Sequence, residues 1–334
     1  VKEALLKSGL WPSPIQRPYG IIANPAIEPK SIFISAFATA PLAAVPEFAF
    51  KDEIEDIQTG VNALAKLTNG GVHFSLSSEN YSGTPLHKIE NVIQHVFSGK
   101  HPAGNVGVQI SHISPIMKGD TVWTVSLLLV AAIGKLFNTG KYDMTRKVAV
   151  TGPKAIDPSY VDALPGIAMK DLKEFYDNSA NDLRFISGDV LTGESVGENG
   201  FLGFFDNQVT FLHEGTEREV LGWAKPFRCK KFSSSHTYFS WLTPKKTYDM
   251  DTNFNGGPRA FVMSDVYSKV LPMDIYPVYL AKACLAGDID KMEKFGIYEV
   301  LPEDLALCEY VDPSKNDIQE MIQKGIDLML KEMA

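Results

Sequence analysis

A chain of 334 residues is longer than one apolar core usually fills, so two or three domains are expected, and 45% hydrophobic with 22% charged residues excludes global disorder. A net charge of −8 argues against nucleic acid, and no Lys/Arg cluster is dense enough for a phosphate or anionic-lipid patch; the strongest, Arg228, Lys230 and Lys231, reads as a solvated strand end. Three cysteines, 229, 284 and 308, are odd in number and widely spaced, which suits a reducing cytoplasm and no disulfide framework.

The chain begins at Val1 without an initiator Met or signal peptide, which points to a fragment lacking an upstream part. Val1 to Leu6 is a short amphipathic segment, and Ser8-Gly9-Leu10-Trp11-Pro12-Ser13-Pro14 follows, its two prolines forbidding a helix. Ser31 to Phe37 is an uncharged, β-branched and aromatic run expected as a strand covered on both faces. The loop Thr39-Ala40-Pro41-Leu42 then lies at its carboxyl end. Asp52 to Leu67 carries Ile54, Ile57, Val61, Leu64 and Leu67 at helical spacing, closed by Asn69-Gly70-Gly71, and Val72 to Leu76 returns as a strand. Strand, helix, strand is a βαβ unit. No G-x-G-x-x-G opens the helix, so a dinucleotide site of the usual kind has no support.

Asn91 to Phe97 reads as a further strand, and the loop after it, Ser98 to Gly107, is the richest in the chain. His101, Pro102, Gly104 and Gly107 combine backbone freedom with a group that titrates near neutrality; a plain strand-to-helix turn is the competing reading. The other histidines (73, 87, 95, 112, 213 and 236) have no ligand spacing, so a metal site is not expected. No serine sits in a G-x-S-x-G elbow and no basic partner adjoins Cys308, so no catalytic residue is assigned. The longest apolar run, Val122 to Ile133, stops well short of the roughly 20 residues of a membrane span and is expected as a buried helix.

From Lys147 strands dominate. Lys147 to Thr151, Tyr160 to Ala163, a helix over Met169 to Tyr176 and Leu183 to Ser187 make a small β-grasp module. Phe201 to Phe205, Gln208 to His213 and Arg218 to Leu221 read as a β-meander. Lys230 to Gly257 is long, polar and aromatic, as functional or partner-ordered loops are. The remainder is helical: Asp274 caps a helix through Leu285, Asp288 starts another that Gly296 ends, Pro302-Glu303-Asp304 opens a third, and Ile318 to Met333 is amphipathic. The resulting domains are 1–146, 147–200, 201–257 (meander and loop) and 258–334.

Within the helical part, Leu301 to Lys315 keeps the frame of a bacterial ferredoxin run, C-x2-C-x2-C-x3-C-P. The ligand places fall at Pro302, Leu305, Cys308 and Asp312, followed by Pro313. One thiolate among them cannot hold an iron–sulfur cluster.

Taken together, SIFISAFATAPLA (31–43), SGKHPAGNVG (98–107), VAVTGP (148–153), ISGDVLTG (186–193), GGPRAFV (256–262), PMDIYPVYL (272–280) and EDLALCEYVDPSK (303–315) resemble the NqrA family, a subunit of the bacterial Na+-translocating NADH:quinone reductase (Na+-NQR), nearly end to end. The resemblance implies an α/β multidomain chain: a Rossmann-like domain, a soluble-ligand-binding (SLBB) β-grasp domain and a C-terminal helical bundle like a ferredoxin domain without its cluster. It also implies a biotinyl-lipoyl-like module ahead of these, with which part of the 201–221 meander is expected to pair.

The architecture is similar, too, to the flavin- and NADH-binding subunit of complex I and to the RnfC subunit of the Rnf complex. Those carry a glycine-rich flavin loop after Ser-Gly-Leu, where this chain has Trp11-Pro12-Ser13-Pro14. Flavin, NADH and cluster binding are therefore not carried over. NADH, quinone, flavins and Na+ are expected to be used by the whole complex. The chain itself is expected to be a peripheral subunit without catalysis of its own, on the cytoplasmic face of the inner membrane, with the membrane subunit NqrB as its foremost partner. It would serve assembly and shape the quinone end of the path. Two alternatives stand: direct quinone binding through His101, Pro102, Gly104 and Gly107 or the 230–257 loop, and an independent NAD(P) or flavin oxidoreductase.

Overall fold

The computed structural model describes the chain except residues 80–82, 178–181, 217–221, 223–224, 226–227, 229–230, 234–235, 263–264 and 334. Two mixed sheets and a group of C-terminal helices enclose three apolar cores. The first sheet holds β1 (Ile15–Arg17), β2 (Ile21–Ile22), β3 (Ile32–Ala36), β4 (Val72–Ser77), β5 (Ile93–Phe97) and β6 (Val122–Thr124), in the order β2-β1-β6-β3-β4-β5. Strands β6, β3, β4 and β5 run parallel, and β1 pairs antiparallel with β6 and β2.

Alternation along β3 decides what covers each face. Ile32, Ile34 and Ala36 point into a core completed by α1 (Lys2–Ser8), α2 (Pro46–Ala49) and α3 (Ile54–Leu64). Phe33 points the other way, toward α4 (Val106–Ile113), whose Val108 and Ile110 are buried. The apolar run from Val122 divides: its first residues form β6, and only Leu127–Thr139 is helical, α5. The single helix expected there fails at Ser126, whose extended backbone and hydroxyl, accepting from Leu129 N at 3.4 Å, make it an N-cap. β-branched Val122 and Thr124 then suit the ladder on either side.

The second sheet holds β7 (Arg146–Thr151), β8 (Ser159–Ala163), β9 (Leu183–Ser187), β10 (Glu194–Ser195) and β11 (Gln208–His213), ordered β10-β9-β11-β7-β8. β11 lies parallel to β7 and antiparallel to β9, so a strand read from sequence as part of a separate meander is the centre of this sheet. Its all-buried inner run, Gln208 to Leu212, needs cover on both sides, which a solvated meander cannot give. Phe201 makes only an isolated bridge to Ala168, and the expected strand at Arg218 to Leu221 lies outside the described residues. Met169 to Tyr176 is not a full helix; only Met169–Leu172 coils, as a 3-10 turn, because Tyr176 is bridged to Ala155 and so few residues cannot offset helix nucleation.

The C-terminal helices are α6 (Pro277–Ala286), α7 (Ile289–Phe295), α8 (Ala306–Val311) and α9 (Ile318–Met333). α6 starts with Pro277 in its first turn instead of with an Asp274 cap, while Asp288 caps α7 by accepting from Lys291 N at 3.1 Å. Leu280, Met292, Leu305, Cys308, Ile322 and Ile326 share a core with Phe33, Val108, Ile110 and Val122. The helical segment is thus the second cover of the first sheet. Among the described residues no helix is long and apolar enough to cross a membrane.

Candidate functional site

The carboxyl ends of β3 and β6 open into a cleft of about 620 Å3. From β3 the chain moves out through β4 and β5 on one side, while β6 lies on the other, and a crevice at such a reversal is where open α/β sheets bind ligands. One wall is Phe37 to Ala40 with Gly104 and Asn105, another the start of α5 at Ser126 to Leu129, and Ser13 lies on the turn beneath. The second sheet contributes Gly188, Asp189 and Phe205 to Gln208, and the helical segment Leu301 and Glu303.

Arg146 fixes the second-sheet wall. It is buried and donates through Nη1 to the carbonyls of Phe204 at 2.8 Å and Asp206 at 3.0 Å. Ser187 Oγ donates to Asp206 Oδ2 at 2.5 Å, yet burial still pushes the Asp206 carboxyl up, against Ser187 and Arg146. Among the described residues no Lys, Arg or His lines the cleft, whereas Asp189, Asp206 and Glu303 do. Three carboxylates with hydroxyls and apolar walls suit a polar, uncharged group and oppose a phosphate.

The four residues singled out in the 98–107 loop separate in space. Gly104 lines the cleft: its N–H donates to Thr39 Oγ1 at 2.9 Å, and a Cβ there would stand 2.6 Å from the Phe37 carbonyl. His101 stands one layer behind, Nδ1 3.3 Å from Thr39 Oγ1, with Nε2 buried and without a partner among the described residues. Burial pushes its imidazole down, opposed by Asp189 and Asp304. Pro102 is buried off the lining, after a cis peptide bond. Gly107 is elsewhere: a Cβ on it would fall 2.2 Å from Asp304 Oδ2 and 2.4 Å from Arg17 Nη1.

That pair is the joint the sequence did not reveal. Arg17, at the end of β1 and 1% exposed, donates through Nη1 to Asp304 Oδ2 at 2.9 Å and through Nη2 to Glu303 Oε1 at 2.5 Å. Burial opposes its charge, but the two carboxylates overcome this and hold its pKa above the ordinary value. Asp304 Oδ2 also accepts from Leu301 N at 3.0 Å, so one oxygen both caps the turn and anchors it to the sheet. A lone Arg before a Pro carries no local signal of such a partner 287 residues away.

Neither cofactor position is built to hold its group. In the turn after Ser8-Gly9-Leu10, Trp11 N donates to Leu5 O at 3.1 Å and Ser13 N to Leu10 O at 3.0 Å, while Pro12 and Pro14 have no N–H. The backbone N–H groups of Trp11 to Pro14 that a flavin phosphate would require are spent or absent. Trp11 is itself buried edge-on against Trp123, with ring centroids 5.7 Å apart. Along the ferredoxin spacing, Leu305 and Cys308 are in the core and burial pushes the Cys308 thiol up to about 12. Asp312 accepts from Ser314 N at 3.2 Å and Asn316 N at 2.8 Å, folding the turn before α9. An iron–sulfur cluster does not fit these residues. Among the described residues no three His, Cys, Asp or Glu side chains gather as a metal site, although His73 and His95 meet at 2.9 Å on β4 and β5, where burial and His95 lower His73 to about 4.

The fold and the cleft define a mixed α/β protein of two mixed sheets, with a ligand-sized crevice where the first sheet reverses its order. Residues 1–142 match the family model described as NqrA second alpha/beta domain. Over its length the chain is 35% identical to the NqrA subunit of the Na(+)-translocating NADH-quinone reductase of Rhodopirellula baltica, covering 99% of this chain and 72% of that one. It is 35% identical to the subunit of the same name in Vibrio parahaemolyticus (99% and 74% covered) and 37% identical to that of Alcanivorax borkumensis (98% and 72%). The chain belongs to the NqrA family of Na(+)-translocating NADH-quinone reductase subunits.

Proposed function

We propose that this chain acts as a peripheral subunit of a Na+-translocating NADH:quinone reductase, at the cytoplasmic face and against the membrane subunit NqrB, binding neither flavin nor iron–sulfur cluster itself. Electron transfer from NADH to quinone, coupled to sodium export, is a property of the complex, and this chain contributes a scaffold to it. The first sheet is read as Rossmann-like, the second as an SLBB-type β-grasp unit and the helical segment as a ferredoxin domain without its cluster. One observation carries the reading: at both cofactor positions the backbone donors and ligand places are used for packing, with Trp11 against Trp123 and Leu305 and Cys308 inside the core. Absorption spectroscopy of the purified full-length protein tests it. No flavin or iron–sulfur band is expected, and a band stoichiometric with the chain sinks the reading.

A second reading, direct contact with quinone, is favoured by the open cleft, whose wall at Thr39 and Gly104 offers a hydroxyl beside apolar Phe37 and Leu127. A photo-reactive quinone added to the complex is then expected to label peptides 37–50 or 104–106. Labelling that misses both removes this reading and leaves the first untouched. An independent NAD(P) oxidoreductase has least support, since no cation among the described residues lines the cleft.

A further inference from the structure

The long segment before the C-terminal helices has a charge pattern opposite to that of the whole chain. Between residues 220 and 248 there are six Lys and Arg and no Asp or Glu, in a chain of net charge −8. Along the sequence these cations form two small groups, Lys225 to Lys231 and Lys245-Lys246, separated by an aromatic stretch. Folding joins them. Ser233 N donates to Ser240 Oγ at 3.1 Å, and the Phe232 and Tyr248 rings stand 5.7 Å apart, so the two arms of the segment lie side by side. Arg228 lies over the Tyr238 ring at 5.1 Å and donates to its hydroxyl at 2.8 Å, and Lys246 lies 5.3 Å from the Tyr248 ring. The two acids that follow are already engaged, Asp249 with Lys154 and Asp251 with Lys231.

At the tip is the 3-10 turn Phe239–Leu242. Its apolar side chains point outward: Phe239 is 72% exposed, Trp241 52% and Leu242 60%. Lys245 and Lys246 beside them are exposed as well. Aromatic and aliphatic side chains at a tip, with lysines just behind, are the arrangement that enters the headgroup region of a bilayer: the rings sit at the interface and the cations meet anionic lipid.

We propose that the turn Phe239–Leu242, with Lys245 and Lys246, is a membrane-surface anchor selective for anionic phospholipid. This rests on the peripheral placement proposed above. The anchor lies apart from the cleft and needs no cofactor.

Full-length protein mixed with phosphatidylglycerol-containing vesicles, and with pure phosphatidylcholine vesicles, tests it by co-sedimentation and by tryptophan quenching with brominated lipid. The chain has four tryptophans; Trp11 and Trp123 are buried and Trp223 is common to parent and variant, so Trp241→Phe identifies the share of quenching due to Trp241. Expected are preference for the anionic vesicles, weakened by salt, and quenching reduced in Trp241→Phe. Phe239→Ser with Trp241→Ser, and separately Lys245→Glu with Lys246→Glu, should each lower anionic-vesicle binding at least about tenfold with unchanged circular dichroism. Equal binding to both vesicle types, or variants that bind as the parent does, overturns the anchor. So does a result in which the variants lose assembly with partner subunits but keep lipid binding, since the surface then docks protein. Co-purification of the parent protein with its complex tests the subunit reading separately, and its failure is visible whatever the vesicles report.

Discussion

On either side of Glu303 the molecule packs differently. Toward Leu305, Cys308 and Asp312 the segment is closed, each of these residues at most 2% exposed, whereas toward Gly104 and Asp206 about 620 Å3 stays open to solvent. A sealed apolar void forfeits dispersion contacts and costs stability in proportion to its volume, so Leu305 and Cys308, packed into the core, stabilise the fold. An open polar cleft fills with water at little cost, and nothing in stability drives its closure. The enclosed segment is packed shut, and the open cleft keeps its shape.

The largest expected effect probes the joint between the two. Arg17→Met leaves the Asp304 carboxylate buried without its cation and should cost about 3–5 kcal/mol in urea unfolding; a loss below about 1 kcal/mol would mean that the helical segment is not fastened to the sheet through this pair. Next is Gly107→Ala, whose Cβ must displace Asp304 or Arg17, at about 1–3 kcal/mol by the same measurement. Cys308→Ser puts a hydroxyl in the core for about 1–2 kcal/mol. The Cys308 thiol, raised to about 12 by burial, is almost wholly protonated at pH 8, so iodoacetamide should leave it unmodified in the native protein and alkylate it in urea, as read by mass spectrometry. Rapid native alkylation would show this side of the contrast to be open. The smallest effect belongs to the cleft: Ala38→Ser, on its exposed wall, should stay within about 0.5 kcal/mol of the parent.

Local features were legible where their cause is local. The β-branched runs at Ser31 to Phe37 and Val72 to Leu76, the helical spacing after Ile54, and the glycines that end α6 and α7 each coincide with an observed element or boundary. The 98–107 loop is continuous in the sequence, but packing scatters its residues, with Gly104 on the cleft, His101 behind Thr39 and Gly107 under the ion pair. The short strands β1 and β2 carry too few residues for a period, and β1 holds Arg17.

By itself the sequence determined the side-chain and backbone chemistry of two stretches. Side-chain chemistry at Pro302, Leu305 and Asp312, and the missing N–H groups at Pro12 and Pro14, need no fold to be read. Only the tertiary structure decided that β11 is the centre of the second sheet and that the C-terminal helices share a core with β3 and β6. It also decided that Arg17 meets Asp304 and that the Phe232 and Tyr248 rings, on either side of Phe239, lie together. The physical reason is the same throughout. Periodicity and ligand chemistry are properties of neighbouring residues, whereas strand partners, buried ion pairs and surface patches are chosen by burial among residues far apart in the chain.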